Sequence, residues 1–153
     1  MTADGCAQLA ETCARVAART DSPGTFLREL GREAAGVRRG PLWPLDAGRG
    51  GSNRIRGRGF RRHVDDGTEG QARHFAGIVS VAVRIGPRLA RWLSIHVGRD
   101  APDSADGRLT DEAIDFVRLI RSGELAPVDA EAWVRSTICG GGTTAPPTLR
   151  ARD

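Results

Sequence analysis

The chain of 153 residues contains no lysine and no tyrosine, and aromatic residues make up only 5% of it. The absence of lysine excludes Schiff-base chemistry and the phosphate-binding loops that depend on a lysine side chain. None of the common dinucleotide, P-loop, nucleophile-elbow or HExxH zinc motifs is present. The familiar enzyme classes that carry those motifs are therefore not expected.

Long apolar runs are also missing. The longest one, 76–83, has eight residues, whereas a membrane-spanning helix needs about 20. The first twenty residues mix acidic and basic side chains without a long apolar stretch, so we expect no secretory signal.

The three cysteines, Cys6, Cys13 and Cys139, show no CxxC or Cys/His zinc spacing. On a helix, Cys6 and Cys13 would lie roughly 10.5 Å apart, too far for a disulfide. We therefore expect free thiols in a reducing cytoplasm and no zinc site built on these cysteines. We predict no cofactor and assign no residue as a metal ligand.

Apolar periodicity predicts an all-α fold, a small bundle of about five helices. Residues 1–37 form a predicted helical hairpin. Its first helix, about 5–20, has one apolar face; its second, about 23–36, begins with Ser22 as N-cap and Pro23 at the first position and ends at Gly36. The buried set of the first helix is Cys6, Leu9, Ala10, Cys13, Val16 and Ala17.

Residues 38–62 contain two prolines and many glycines, which favours an Arg/Gly-rich arm or long loop without regular structure. Residues 63–139 form the predicted helical core domain, and 140–153 form a disordered tail. A helix beginning near Glu69, capped by Thr68 or Asp66, continues to about 97. It is either one helix kinked at Pro87 or two helices meeting there, with a single apolar phase throughout.

A polar loop over 98–108 is predicted to precede a helix capped by Thr110 and closed by Gly123, followed by a last helix over about 128–139. The helices that carry Trp92 and Trp133 are expected to share the core. The other predicted core residues are Phe75, Ile78, Ile85, Leu89, Ile114 and Val117.

The net charge of +4 hides a basic central block. Residues 38–99 carry +9, whereas residues 100–139 carry −5. Such a block can bind nucleic acid or another polyanion, or it can fold back on the acidic third. The candidate nucleic-acid-binding residues are Arg54, Arg56, Arg58, Arg61, Arg62, Arg84, Arg88 and Arg91. The alternative is an arginine-rich linker and a solvated helix face, typical of a GC-rich coding sequence.

A second candidate site surrounds His74. A loop that enters a helix there carries two histidines and several carboxylates, a composition that suits general acid–base chemistry. We assign His74 as the candidate catalytic residue, with Gln71, Arg73 and Asp66 in support. Two alternatives remain: a divalent cation held by His63, Asp65 and His74, or a structural role in which Asp66 caps the helix and His74 packs at the edge of the core.

The segment DDGTEGQARHFAG resembles the core of a bacterial helical module with the pattern D-[DGS]-x-x-N-Q-x-R-H-F-x-G. The resemblance covers about 59–139 and includes Gly59-Phe60 before the core and the WVRSTIC sequence that ends at Cys139. Gly70 stands where the module has Asn. Such modules occur in hypothetical proteins and in polymorphic-toxin-associated regions. The resemblance implies a helical fold and points to Gln71, Arg73 and His74, but it supplies no reaction.

Three functions are therefore expected as alternatives. The first is a non-enzymatic module that binds nucleic acid or another polyanion through the basic block. The second is a small bacterial effector or toxin-associated enzyme centred on His74. The third is a protein–protein interaction module.

Overall fold

A computed structural model describes residues 3–48, 51–96 and 101–140 of the chain. These residues form seven α-helices and no β-strand, which confirms the all-α class. The helices are α1 (Gly5–Arg19), α2 (Pro23–Ala35), α3 (Trp43–Gly48), α4 (Gln71–Ile85), α5 (Pro87–His96), α6 (Ala105–Ser122) and α7 (Ala130–Thr137), with 3-10 turns at Arg62–Val64 and Pro127–Asp129. The predicted disordered tail lies, beyond Gly140, outside the described residues.

The helical hairpin forms as its local signals predict. Ser22 accepts a hydrogen bond from the Thr25 amide at the start of α2, Pro23 occupies the first position, and Gly36 ends the helix with φ 68°. These signals are local because a cap needs only neighbouring backbone groups. The predicted inner face of α1 is buried, with Ala17 packed at its edge.

Helix α4 lies at the centre of the bundle and packs against α2 and α6. The aromatic core joins these helices to α7. Phe75 lies 5.4 Å from Phe116 between ring centroids, and Trp133 lies 5.0 Å from Phe116. The prediction that Trp133 helps to form the core is thus confirmed. Phe75 and Val117 are fully buried, while Ile78, Ile85 and Ile114 are partly buried.

Helix α4 ends just before Gly86, which has φ 91°, and helix α5 begins just after it. The prediction of one apolar phase through this point is wrong. Helix α5 buries Ala90 and Ser94, whereas Leu89 and Trp92 are 48% and 52% exposed. The bend folds α5 back along α4, so the phase of one helix does not carry into the next.

Helix α6 begins at Ala105 behind the N-cap Ser104, whose hydroxyl accepts from the Gly107 amide. The prediction that Thr110 caps this helix, and that 105–108 belong to a loop, is wrong. Thr110 lies inside α6 and is 2% exposed. Its hydroxyl has partners on other helices, which no sequence pattern shows.

Residues 51–62, which we call the strap, were predicted as part of a flexible or long loop. The strap has little regular structure, but its backbone is anchored: Arg58 O accepts from the Cys6 amide and Arg58 N donates to Ala3 O. On the other side, Arg61 N donates to Ile138 O. The strap thus runs between the start of α1 and the end of α7. Helix α3 lies within a stretch predicted to be irregular, so that detail is wrong.

The prediction of three free thiols is also wrong. Cys6 and Cys139 form a disulfide across 133 residues of sequence, and Cys13 alone is a free cysteine, buried in the core. Spacing along one helix excluded only the pair Cys6–Cys13. The pair that forms, Cys6 and Cys139, is brought together by the packing of α1 against α7. Across the described ranges, none of the helices is both long and apolar enough to cross a membrane.

Candidate functional site: an arginine-lined cleft and the His74 cluster

A cleft of about 530 Å³ opens where α1, the end of α2 and the strap meet. Four arginines line it, with one carboxylate and one glycine. The lining residues are Arg15, Arg32, Glu33, Gly36, Arg38 and Arg54.

Gly36 allows the strap to approach the end of α2. A Cβ atom there would lie 2.2 Å from Ser52 Oγ and 3.2 Å from Arg54 Nε, and the positive φ also favours glycine. The Ser52 amide donates to Ala35 O at 2.7 Å and fixes the strap in place. This close approach places Arg54 beside the end of α2, which lies 18 or more residues earlier in the sequence.

Carboxylates hold several arginines beside the cleft. Glu29 is only 5% exposed. Its carboxylate accepts hydrogen bonds from the guanidinium groups of Arg32 and Arg39 at 2.9 and 2.5 Å. The hydrogen bond from Arg39, followed by that from Arg32, outweighs burial and lowers the pKa of Glu29 to about 2. Arg38 makes a bidentate pair with Asp46, which raises the pKa of Arg38. These ion pairs restrict the motion of the arginine side chains.

Positive charge exceeds negative charge in this region. Six arginines surround three carboxylates; the arginines are Arg15, Arg19, Arg32, Arg38, Arg39 and Arg54, and the carboxylates are Glu29, Glu33 and Asp46. Arg54 is exposed and forms no ion pair with any described residue. The cleft thus keeps a net positive charge after its internal pairs are counted.

Arg84 extends the basic region along the end of α4. Its guanidinium lies 5.1 Å from the Trp43 ring centroid and donates to Ser80 O at 2.9 Å and to Arg38 O at 3.4 Å. Burial, followed by the charge of Arg28, lowers the pKa of Arg84. Arg84 thus adds a partly buried cation beside the cleft residue Arg38.

The other predicted nucleic-acid-binding residues fall into two groups, those with a partner in the fold and those without an ion pair. Arg58 pairs with Asp65 at 3.2 Å, and Arg91 pairs with Asp111 at 3.0 Å. Arg61 donates to Ser136 O. The remaining three are exposed and form no ion pair within the part of the chain that the structure describes: Arg56, Arg62 and Arg88.

Sequence reasoning missed three residues of the cleft, Arg15, Arg32 and Arg38. The first two belong to the hairpin, whose 37 residues carry a net charge of −1. Block charge gave no signal there because acidic and basic residues alternate along the helices. Only the pairing of α1 with α2 shows which of them face the same solvent region.

The His74 cluster joins α4, α5 and α6. His74 Nε2 lies 2.8 Å from Thr110 Oγ1 and 3.2 Å from Asp106 O, and Thr110 Oγ1 lies 3.2 Å from Ser94 Oγ. Ser94 and Thr110 are 6% and 2% exposed. The two hydroxyls thus link His74 to the packing of three helices.

Two carboxyl groups lie beside this cluster. Burial would raise the pKa of Asp66, but hydrogen bonds from the Thr68 hydroxyl and amide, a hydrogen bond with Asp106 and the charge of His74 together lower it. The charge of His74 and the hydrogen bond with Asp106 thus couple Asp66 to this cluster. The prediction that Asp66 or Thr68 caps the helix is wrong, since α4 begins at Gln71 without a side-chain cap.

Gln71 and Arg73 lie apart from these hydrogen bonds. Gln71 is 1% exposed and its amide donates to Val64 O at 2.5 Å, which ties the preceding turn to α4. Arg73 is partly buried and forms no ion pair with a described residue. Histidine, cysteine and acidic side chains make no group of three that could hold a metal ion in the ranges described, so His63, Asp65 and His74 are not gathered into one.

A scan against protein-family models finds no match, and searches of curated proteins and of solved structures find none either. What the chain does is therefore inferred from its own geometry.

Proposed function

We propose that this protein binds a polyanion, and specifically nucleic acid, through the arginine-lined cleft and the basic residues around it. The observation that carries the proposal is a cleft in which four guanidinium groups face one carboxylate. Guanidinium groups bind phosphate oxygens bidentately and remain charged at any physiological pH.

The cleft arginines are suited to this role because they are both held and accessible. Arg15 is 62% exposed and Arg38 is 56% exposed, yet each has a carboxylate partner that limits its motion. Partial ordering before binding lowers the entropy that is lost when a phosphate binds. Arg54 adds a charge that no described carboxylate offsets.

The proposal is tested by binding of the nuclease-treated protein to labelled duplex and single strand between about 50 and 300 mM salt. Each phosphate contact contributes about 0.9 to the log–log salt slope on duplex and about 0.7 on a single strand. Arg15→Gln combined with Arg54→Gln should therefore reduce the slope by about 1.4 to 1.8.

A matched control removes the same charge outside the cleft. Arg118→Gln with Arg121→Gln acts on α6, where Arg118 pairs with Asp115 and Glu124. The control should bind as the wild type does. Absence of binding at low salt, or equal losses in both double variants, would contradict the proposal.

An enzyme centred on His74 is the second proposal, favoured by the 2.8 Å contact between His74 Nε2 and Thr110 Oγ1 and by the nearby carboxyl of Asp66. A histidine beside a hydroxyl and a carboxylate is the arrangement of a general base. Burial of Thr110 argues against a nucleophilic hydroxyl, so a base acting on a bound substrate is the form that we propose. If the His74→Ala variant keeps its fold and loses enzymatic activity, this second proposal is supported. A variant that is unfolded, or one that keeps full activity, would contradict it.

The interaction-module alternative and the resemblance to a bacterial helical module stay predictions. So does the cytoplasmic location, and the Cys6–Cys139 disulfide argues against it, because disulfides persist mainly in oxidising compartments. Co-purification with a protein partner that resists nuclease would favour the interaction module over nucleic-acid binding.

A further inference from the structure

Trp92 is an exposed aromatic residue on a basic helix face. Its side chain is 52% exposed, although a large apolar residue of a core helix was expected to be buried. Helix α5 buries Ala90 and Ser94. At 100° per residue, Trp92 projects about 180° from the midpoint of those two residues, directly away from the bundle.

The other two tryptophans have structural partners. Trp43 is covered by the guanidinium of Arg84, and Trp133 packs against Phe75 and Phe116. Trp92 contacts the His96 ring, with centroids 4.8 Å apart. That contact restricts the orientation of the indole without burying it.

A basic residue accompanies Trp92 on this face. Arg88 is exposed and forms no ion pair with any residue that the structure describes. It lies one helical turn before Trp92 on the same exposed face of α5. On the other side of the bend at Gly86, Arg84 donates to the backbone of Arg38, a cleft residue. Arg88 and Trp92 thus offer a cation and an aromatic ring side by side.

We infer that Trp92 stacks on an unpaired base of a single-stranded nucleic acid whose phosphates contact the cleft and Arg88. This inference rests on the proposed function and names its substrate class. Aromatic side chains bind single strands by stacking on bases, whereas the bases of a duplex are already stacked on one another. A duplex would use the arginines without Trp92.

The same helix is poorly suited to an anionic bilayer. Its exposed apolar side chains are Leu89 and Trp92, and the charged groups of Arg88 and Arg91 lie beside them. Membrane-surface helices bury a continuous apolar face in the interface.

The test compares two ligands of equal charge: an oligothymidylate of about twelve nucleotides, within the range of known single-strand sites, and an abasic oligomer of the same length. Trp92→Ala should weaken binding to oligothymidylate by at least about fivefold, the low end for loss of one stacked base. It should leave abasic binding unchanged. Oligothymidylate should quench the tryptophan fluorescence of the wild type, and Trp92→Phe should lose most of the quench while retaining part of the affinity.

Leu89→Ala is the matched control, because Leu89 is 48% exposed on the same helix but offers no ring for stacking. It should bind both ligands as the wild type does. Salt-dependent binding that is equal in wild type and Trp92→Ala would overturn this inference and leave the proposed function standing. Absence of binding to any nucleic acid would overturn both, and a fluorescence change with anionic vesicles but not with oligothymidylate would replace the single strand by a membrane.

Discussion

The Cys6–Cys139 disulfide should contribute a large part of the stability of the fold. Cys6 lies in the first turn of α1 and Cys139 follows α7, with the strap hydrogen-bonded between them. Reduction, or the double variant Cys6→Ser with Cys139→Ser, removes the covalent link and changes no other side chain. The perturbation therefore acts chiefly on the unfolded chain.

The magnitude follows from the 133-residue separation of the two cysteines. The entropy of closing a loop grows with the logarithm of its length, and a loop of this size corresponds to about 5 kcal/mol at 25 °C. A domain is stable by only about 5–15 kcal/mol in total. For a chain of this length the loss corresponds to a fall in Tm of about 15 °C.

The assay is thermal unfolding followed by circular dichroism, with and without a phosphine reductant. The wild type should lose about 15 °C on reduction, and the double serine variant, as control, should not respond to the reductant. Thiol titration in denaturant should find one thiol in the oxidised protein, Cys13. In the native state it should find none, because burial, and secondarily the charge of Glu131, raises the pKa of Cys13 to about 12. Three thiols in the oxidised protein, or a Tm unaffected by reduction, would refute the reasoning.

Further predictions concern charge, backbone and the His74 cluster. The pKa of Glu29 is lowered from 4.5 to about 2 in the folded protein. The ionised carboxylate therefore contributes its full stabilisation of the fold above about pH 4.5, and this contribution is lost as the pH falls toward 2. Glu29→Gln should lower the free energy of unfolding by about 1–2 kcal/mol at neutral pH, a value reduced because the arginine partners are exposed. Urea titrations should show that the difference from the wild type shrinks toward pH 2. A difference that does not change with pH would contradict this prediction. Gly57→Ala should destabilise by more than about 2 kcal/mol, because φ is 128° and the added Cβ would lie 2.1 Å from Ala3 O. Gly77→Ala, its control, meets nothing within 4 Å and should stabilise by about 0.5–1 kcal/mol in chemical denaturation. His74→Ala and Thr110→Val should be coupled by about 1 kcal/mol in a double-mutant cycle, and simple additivity would exclude their hydrogen bond.

The sequence alone determined the elements whose signals are local. The caps at Ser22 and Gly36, the apolar face of α1 and the break at Pro87 each depend on residues within one or two turns. Such features can be predicted because a helix end requires only nearby partners for its backbone groups. The all-α class follows in the same way from the periodicity of the apolar residues.

Local patterns failed where distant segments supply the partners. Thr110 has the chemistry of a cap, yet its hydroxyl bonds His74, 36 residues earlier. Trp92 continues the apolar period of α4, but the bend at Gly86 turns it toward solvent. In both places a tertiary contact or a backbone rotation decided the outcome, and neither is encoded within a short window.

The candidate sites divide along the same line. The basic block and the carboxylates around His74 were visible in the sequence, as was Arg54. The cleft itself was not, because Arg15, Arg32 and Arg38 meet Arg54 only when the strap crosses the end of α2. The disulfide is the clearest case: composition showed three cysteines, but only the packing of α1 against α7 placed two of them within bonding distance.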